Sequence, residues 1–260
     1  MRVAENEESE FIRYVDSADP ALMAVQELAR ATFGFFWREV FWERQRIVPG
    51  LDLAAAKIAF HGSDGGQHGS PQIEHMWVGD VNFDGQLISG VLLNAPAHLR
   101  GYQQGDAIAV PLEALSDWLY VQLGEAFGGF SVQHVRSAMS ERERTEYDQG
   151  WGIAFGDPAK VQIVPGVFAE SITSIGEHPM SANFASKFAD QIKAGPHGAL
   201  PDDLKGWSHL HHYALAGSFD VAAAFLSAGA DPNLPGRDGM TPIMLARSLG
   251  WERLAALMSV

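Results

Sequence analysis

Two short runs of alternating apolar residues flank Asp84-Gly85. The first run ends at Val81 and Phe83, and the second begins at Ile88. Asp-Gly between β-forming runs favours a tight hairpin turn, because both central residues of that turn tolerate a positive φ. Residues 73–94 are therefore predicted to form a β-hairpin at the centre of an N-terminal domain.

The same kind of pattern predicts the elements around this hairpin. A helix is expected from Pro20 to about Arg46, since its apolar residues recur at helical spacing. Ser140, with Glu143 three residues later, has the spacing of a capping box and predicts a further helix start. Strands are expected at 54–60, 107–110, 115–123 and 161–164, and another helix at 132–139. This domain is thus predicted to be α+β, a small antiparallel sheet domain with flanking helices.

The last third of the chain contains an internal repeat. Gly206 and Gly239 lie 33 residues apart and open similar segments. Such a spacing is typical of ankyrin repeats, and Thr241-Pro242 with the residues after it is similar to the motif that opens the first helix of that repeat. The stretch from Leu226 to Asn233 also resembles the ankyrin consensus. A C-terminal, all-α, ankyrin-like helical repeat segment is therefore expected over about residues 206–258.

These patterns divide the chain into four parts. We expect a polar N-terminal tail at 1–19, the α+β domain at 20–170, a linker with a capping helix at 171–205, and two ankyrin-like repeats at 206–260. Because about three repeats are needed to bury a shared core, two repeats require apolar cover from elsewhere. A fragment starting at residue 181 is therefore predicted not to fold alone.

Strand alternation leaves two interpretations of the sheet open. Trp118 and Tyr120 share one face of their strand, and His75 and Trp77 share one face of theirs. If a sheet face is left open, Trp77, Trp118 and Tyr120 form an exposed aromatic surface of the kind that marks a binding site. If both faces are covered, the same residues belong to the core.

Composition narrows the classes of function. The 260 residues include no cysteine, which excludes disulfides, thiolate catalysis and cysteine-bound metals. The net charge is −14, and residues 1–170 carry 12 Lys and Arg against 24 Asp and Glu. An acidic surface disfavours nucleic acid and either attracts a basic protein partner or simply maintains solubility. We expect a cytoplasmic protein with no membrane segment and no cofactor.

One stretch also resembles a known family. The run from Glu74 to Asp80, followed by Phe83, Gly85 and Ser89–Leu92, looks like the bacterial domain of unknown function 2314. Other matching positions are Gly105-Asp106, Asp117–Tyr120, Gly128-Gly129, Trp151 and Phe155–Pro158. The resemblance covers about residues 33–164 and implies no activity. The Gly-rich loop at 61–71 is longer than the family pattern.

Candidate chemistry is sparse. His61, His68 and His75 could supply metal ligands, but their spacing fits no compact metal motif. Glu74 and Asp80 share a strand face and could form an acid–base pair. His209, His211 and His212 are expected to cap or pack within the repeats. The glycines at 62–69 lack the Lys-Ser/Thr end of a phosphate loop, and no Gly-x-Ser-x-Gly elbow occurs.

The sequence therefore favours a protein that binds another, basic protein, in the manner of a toxin-neutralising (immunity-like) protein. The predicted binding residues are Glu74, His75, Trp77, Asp80, Asp117, Trp118 and Tyr120. The alternative is a hydrolase or metal-assisted enzyme with a site around Glu74, His75 and Asp80. Catalytic activity and oligomeric state are left open.

Overall fold

The structure is a computed structural model that describes residues 20–62, 73–174, 176–200 and 203–259. Its helices are α1 (Pro20–Glu43), α2 (Phe130–Ser137), α3 (Glu141–Trp151), α4 (Pro179–Lys187), α5 (Ala189–Ala194), α6 (His209–Leu215), α7 (Phe219–Ser227), α8 (Pro242–Ser248) and α9 (Glu252–Leu257). Short 3-10 turns occupy Leu112–Ala114 and Ala169–Ser174. No helix in these ranges is long and apolar enough to cross a membrane.

The strands form a larger and a smaller sheet. They are β1 (Leu53–His61), β2 (Ile73–Phe83), β3 (Leu87–Leu92), β4 (Ala107–Pro111), β5 (Leu115–Gln122), β6 (Glu125–Gly128), β7 (Gln162–Val164) and β8 (Val167–Phe168). Among the described residues, the larger sheet has the order β4-β3-β2-β1-β5-β6. The pairs β1–β2, β1–β5, β3–β4 and β5–β6 are antiparallel. Together with its flanking helices, this sheet confirms the predicted α+β class.

The central hairpin is confirmed. Strands β2 and β3 are adjacent in the sheet and are joined by residues 84–86. Gly85 has a φ of +89°, which lies in the left-handed region that a glycine adopts without strain. The capping box is confirmed as well, since Ser140 Oγ accepts from the Glu143 backbone N–H and the Glu143 carboxylate accepts from that of Ser140.

Two short strands, β6 and β8, were not predicted from the sequence. Strand β6 pairs with β5 just before Gly128 and Gly129, whose φ values are +74° and +68°. Gly128 is the last residue of β6 and is the cross-strand partner of Leu119 on β5. A Cβ at Gly128 would lie 2.4 Å from the ring of Trp118, so close packing also explains this glycine. Helix α2 consequently starts at Phe130, two residues before its predicted start.

The chain divides into two compact units. Of the described residues, the first unit contains those within 20–32, 48–62, 73–82 and 86–170, and the second contains those within 33–47, 83–85, 171–174, 176–200 and 203–259. In the first unit, one group of buried apolar residues packs beside β5 and α2: Leu119, Val121, Ala126, Val132 and Phe155. The described part of this unit therefore holds its core around the sheet.

The second unit contains helices that recur at the predicted spacing. Helices α6 and α8 begin at His209 and Pro242, and α7 and α9 begin at Phe219 and Glu252, which is 33 residues apart in both cases. Ser208 and His211, both buried, cap the start of α6. The Nδ1 atom of His211 accepts from the backbone N–H of Ser208 at 3.0 Å. This recurrence supports the ankyrin-like interpretation.

Aromatic rings from the second half of α1 complete the second unit. Phe41 and Trp42 lie 5.5 and 6.0 Å from the ring of Tyr213, measured between ring centroids. Phe35 lies 5.2 Å from Trp251 in an edge-on arrangement. Such pairs add to the burial of their own surface. The repeats thus share a core with residues 33–47.

Candidate functional site

Trp118 and Tyr120 lie in the interior of the first unit. Both are 0% exposed. Trp118 Nε1 donates to the carbonyl of Ala29 at 3.0 Å, and the Tyr120 hydroxyl donates to the carbonyl of Ile163 at 3.2 Å. Strand alternation allowed these two rings to be either exposed or part of the core. The structure places both in the core, so they do not form an exposed aromatic surface.

Trp77 lies on the other face of the same sheet. Lys57 on β1 is the cross-strand partner of both Trp77 on β2 and Asp117 on β5, so these three residues share a face and Trp118 points away from it. Trp77 is half-buried, and the Lys57 ammonium lies 5.5 Å from the centre of its ring. The predicted grouping of Trp77 with Trp118 is therefore not formed.

Asp117 is a buried cap for helix α2. Its Oδ1 accepts from the backbone N–H groups of Trp118 and Phe130 at 2.8 and 2.9 Å, and its Oδ2 accepts from that of Ser131 at 2.7 Å. Gly129, at the cap position, has no side chain to do this. Burial raises the pKa of Asp117, while the Ser131 bonds and the Lys57 charge act in the opposite direction. Asp117 thus has a structural task.

Lys57 completes this internal polar cluster. Its Nζ donates to Ser131 Oγ at 3.1 Å, next to the carboxylate of Asp117. Burial lowers the pKa of Lys57, and the charge of Asp117 partly restores it. A buried ammonium is tolerated where a carboxylate and a hydrogen-bond acceptor lie beside it. The cluster therefore ties β1 and β5 to α2.

Glu74 binds the backbone of a loop. Its Oε1 accepts from Ala97 N–H, and its Oε2 accepts from the N–H groups of His98 and Leu99 at 3.1 and 3.2 Å. Three backbone donors on one carboxylate hold the segment between β3 and β4. Asp80 is exposed and has a positive φ of +50°. The two carboxylates do not line a common cleft with His75 in the described structure.

His75 has a partner that the sequence analysis missed. Its Nδ1 lies 2.6 Å from Ser116 Oγ, and both residues line an open cleft. Burial, followed by the charges of Lys57 and His61, lowers the pKa of His75 from its ordinary value of 6.5 to about 4. The imidazole is therefore neutral at pH 7. The alternation of side chains along β5 could not predict the contact between His75 and Ser116, because the strand register shifts at Ser116.

The described residues contain no cluster of three or more His, Asp or Glu side chains that could hold a metal ion. His61 is at the end of β1 and lines the same cleft as His75. His68 and most of the Gly-rich loop lie outside the described residues.

Comparison with known proteins identifies related chains. A family model described as "Uncharacterized protein conserved in bacteria (DUF2314)" matches residues 19–155. A Neisseria meningitidis serogroup B protein with the provisional name of ankyrin repeat protein NMB1133/NMB1171 is 40% identical over 249 residues, which are 95% of this chain and 96% of that protein.

A more distant relative covers a smaller part. The uncharacterized protein YegJ of Escherichia coli K12 is 27% identical over 73 residues, which are 28% of this chain and 48% of that protein. No solved structure matches the chain significantly. The Neisseria relative is named for ankyrin repeats, and neither relative's name gives an activity.

Proposed function

The chain belongs to the DUF2314 family of uncharacterized bacterial proteins, and from that premise we propose that it binds another protein with a basic surface and regulates or neutralises it. The observation that carries this proposal is the helix recurrence at 33 residues in the second unit, together with the full-length relative named for ankyrin repeats. Ankyrin-type repeats are binding scaffolds whose stacked helices and loops present an extended surface.

Charge supports the choice of a basic partner. The chain has a net charge of −14, most of it within residues 1–170. A surface of one sign attracts the opposite sign at long range, and this attraction weakens as salt is added. Neutralisation, as in immunity proteins, is a functional analogy that fits an acidic inhibitor of a basic toxin.

An exposed apolar side chain just before the first repeat offers a test residue. Leu204 is 91% exposed, and its carbonyl accepts from Arg237 Nη1 at 3.2 Å, which places it beside a loop of the second repeat. Leu123 in the first unit is also 91% exposed and serves as a matched control. Exposed apolar groups of this kind contribute to binding when a partner covers them.

The experiment uses the full chain, immobilised and exposed to lysate of the source bacterium, with elution by a salt gradient and identification of what is released. We expect one basic protein to be enriched, to elute at moderate salt, and to bind the purified chain directly in calorimetry. Leu204→Ser should weaken that binding more than Leu123→Ser does. Binding only of acidic proteins, or equal effects of the two variants, would count against the proposal.

A further inference from the structure

A β-bulge sets the position of Ser116. Along β1 and β5, Lys57 pairs with Asp117 but Ile58 pairs with Leu115, so Ser116 is the extra residue with no partner on β1. Bulges of this kind redirect a side chain and are frequent beside active sites. Because of the bulge, Ser116 escapes strict alternation and its hydroxyl can lie on the same face as His75.

A small residue lets the two side chains meet across β1. Ala59 on β1 is the cross-strand partner of His75 on β2, and it presents only a methyl group between β2 and β5. The resulting separation of Ser116 Oγ and His75 Nδ1 is 2.6 Å, which is within the range of a strong O–H···N hydrogen bond. With the ring proton on Nε2, Nδ1 accepts the serine proton.

The pair opens into a cleft that also contains a cation. The cleft has a volume of about 190 Å³. Its polar lining consists of Gln26, Arg30, His61, His75, Glu113 and Ser116, so it holds one carboxylate as well as one guanidinium. Arg30 Nη1 donates to the carbonyl of Leu115 at 2.9 Å, which fixes the guanidinium next to the bulge. A guanidinium has five N–H donors, so others remain for a bound anion.

The imidazole of His75 is neutral at pH 7 and can accept a proton at Nδ1. Partial burial of the ring, followed by the positive charges of Lys57 and His61, disfavours its protonated form. A neutral imidazole bonded to a hydroxyl is the state from which a serine is activated. Lys57 itself is held by Ser131 and does not line the cleft.

We propose that this cleft is an acyl-transfer site in which Ser116 is the nucleophile, His75 is its general base, and Arg30 stabilises the oxyanion. The substrate class is a small carboxylic ester, because the cleft admits only a short acyl group. This activity is independent of the protein-binding function proposed above.

The reaction balances with water as the second substrate. Ser116 Oγ attacks the ester carbonyl and transfers its proton to His75 Nδ1, and the departing alkoxide takes that proton as the C–O bond to the alcohol breaks. Water then adds to the acyl carbon and gives a proton to His75, which returns it to Ser116 Oγ as the carboxylic acid leaves. No oxidant, metal or cofactor enters these steps.

The test treats the full chain with diisopropyl fluorophosphate at pH 7.5 and maps the adduct by mass spectrometry. We expect a single adduct on Ser116, and hydrolysis of p-nitrophenyl acetate that is lost in Ser116→Ala. His75→Gln keeps a polar group at that position but removes the base, so labelling should slow by about 100-fold or more. Ser131→Ala serves as a control, because this serine is also buried but bonds to Lys57.

Two outcomes would overturn the proposal. One is a saturated reaction of the wild-type chain that leaves Ser116 unmodified, which needs no variant to fold. The other is ester hydrolysis that is unchanged in Ser116→Ala, in a variant whose thermal melt matches the wild type. Loss of the Ser116 adduct in the His75→Gln variant, with retention in Ser131→Ala, would support the assigned roles.

Discussion

Aromatic rings fill the interior of the second unit, whereas the first unit places a buried ammonium and a buried carboxylate on one face of its sheet. In the second unit, Tyr213 contacts Phe41, Trp42 and Phe184 within about 6 Å between ring centroids. In the first unit, Lys57 and Asp117 are cross-strand partners on β1 and β5.

This difference shows how each unit holds distant segments of the chain together. Aromatic rings stabilise the second unit mainly through the large apolar area that they bury, and both stacked and edge-on pairs are favourable. The charged pair of the first unit specifies one arrangement, since each donor must meet its acceptor. A charged cluster also occurs in the second unit, where Glu39 accepts from Arg38 and lies 3.1 Å from His178 Nε2. Four experiments test the comparison, beginning with the largest expected effect.

Residues 181–260 expressed alone should not fold. The fragment lacks residues 33–47 and 83–85, which belong to the same compact unit, and so it loses the rings that pack on Tyr213 and Trp251. We expect no cooperative thermal transition and poor dispersion in proton NMR. Joining residues 33–47 to residues 171–260 through a flexible linker should restore part of the transition. A cooperatively melting 181–260 fragment would show that the repeats need no such cover.

Trp118→Ala should cost about 3–5 kcal/mol of unfolding free energy, because it removes a large buried ring and leaves a cavity. The ring is 0% exposed and its Nε1 bonds to Ala29 and Thr32. Urea denaturation measures the loss. Trp151→Ala is the control, since Trp151 is 37% exposed and its removal should cost much less. Equal losses in the two variants would contradict the burial of Trp118.

Asp117→Ala should cost about 2–4 kcal/mol, because three backbone N–H groups lose their acceptor and the ammonium of Lys57 loses its neighbouring negative charge. The matched variant is Lys57→Met, which removes the charge but keeps the apolar stem. If the two groups stabilise each other, the double variant should lose less than the two single losses combined, by about 0.5–3 kcal/mol. Strict additivity in urea denaturation would mean that Asp117 acts only as a helix cap.

His75 should make the first unit less stable in acid. Its pKa is lowered from 6.5 to about 4, so the unfolded chain binds the proton more tightly than the folded chain. Stability should therefore fall as the pH drops from about 6.5 towards 4 and should be unaffected above that window. Allowing for the partial exposure of the ring, the effect is about 1–2 kcal/mol.

The measurement compares urea denaturation at pH 7 and pH 4.5 for the wild type and for His75→Gln. The carboxylates titrate in both proteins. The difference between the pH dependence of the wild type and that of His75→Gln therefore isolates the contribution of His75. The variant should lose less stability on acidification than the wild type. Identical pH dependences would show that His75 titrates normally in the folded chain.

The sequence by itself determined the elements. Asp84-Gly85 marked the hairpin turn, Ser140 and Glu143 marked a helix start, and the spacing of Gly206 and Gly239 gave the offset at which the later helices recur. These signals are local, since turn chemistry, capping and periodicity depend on residues close together in the chain.

Only the tertiary structure decided which surfaces meet. Alternation says that Trp118 and Asp117 face opposite ways, but it does not say that both faces are covered. The contact between His75 and Ser116 depends on a bulge in β5 and on the small Ala59 of the strand between them. Register and bulges are set by the packing of distant segments, so no local pattern in the sequence could have placed that pair.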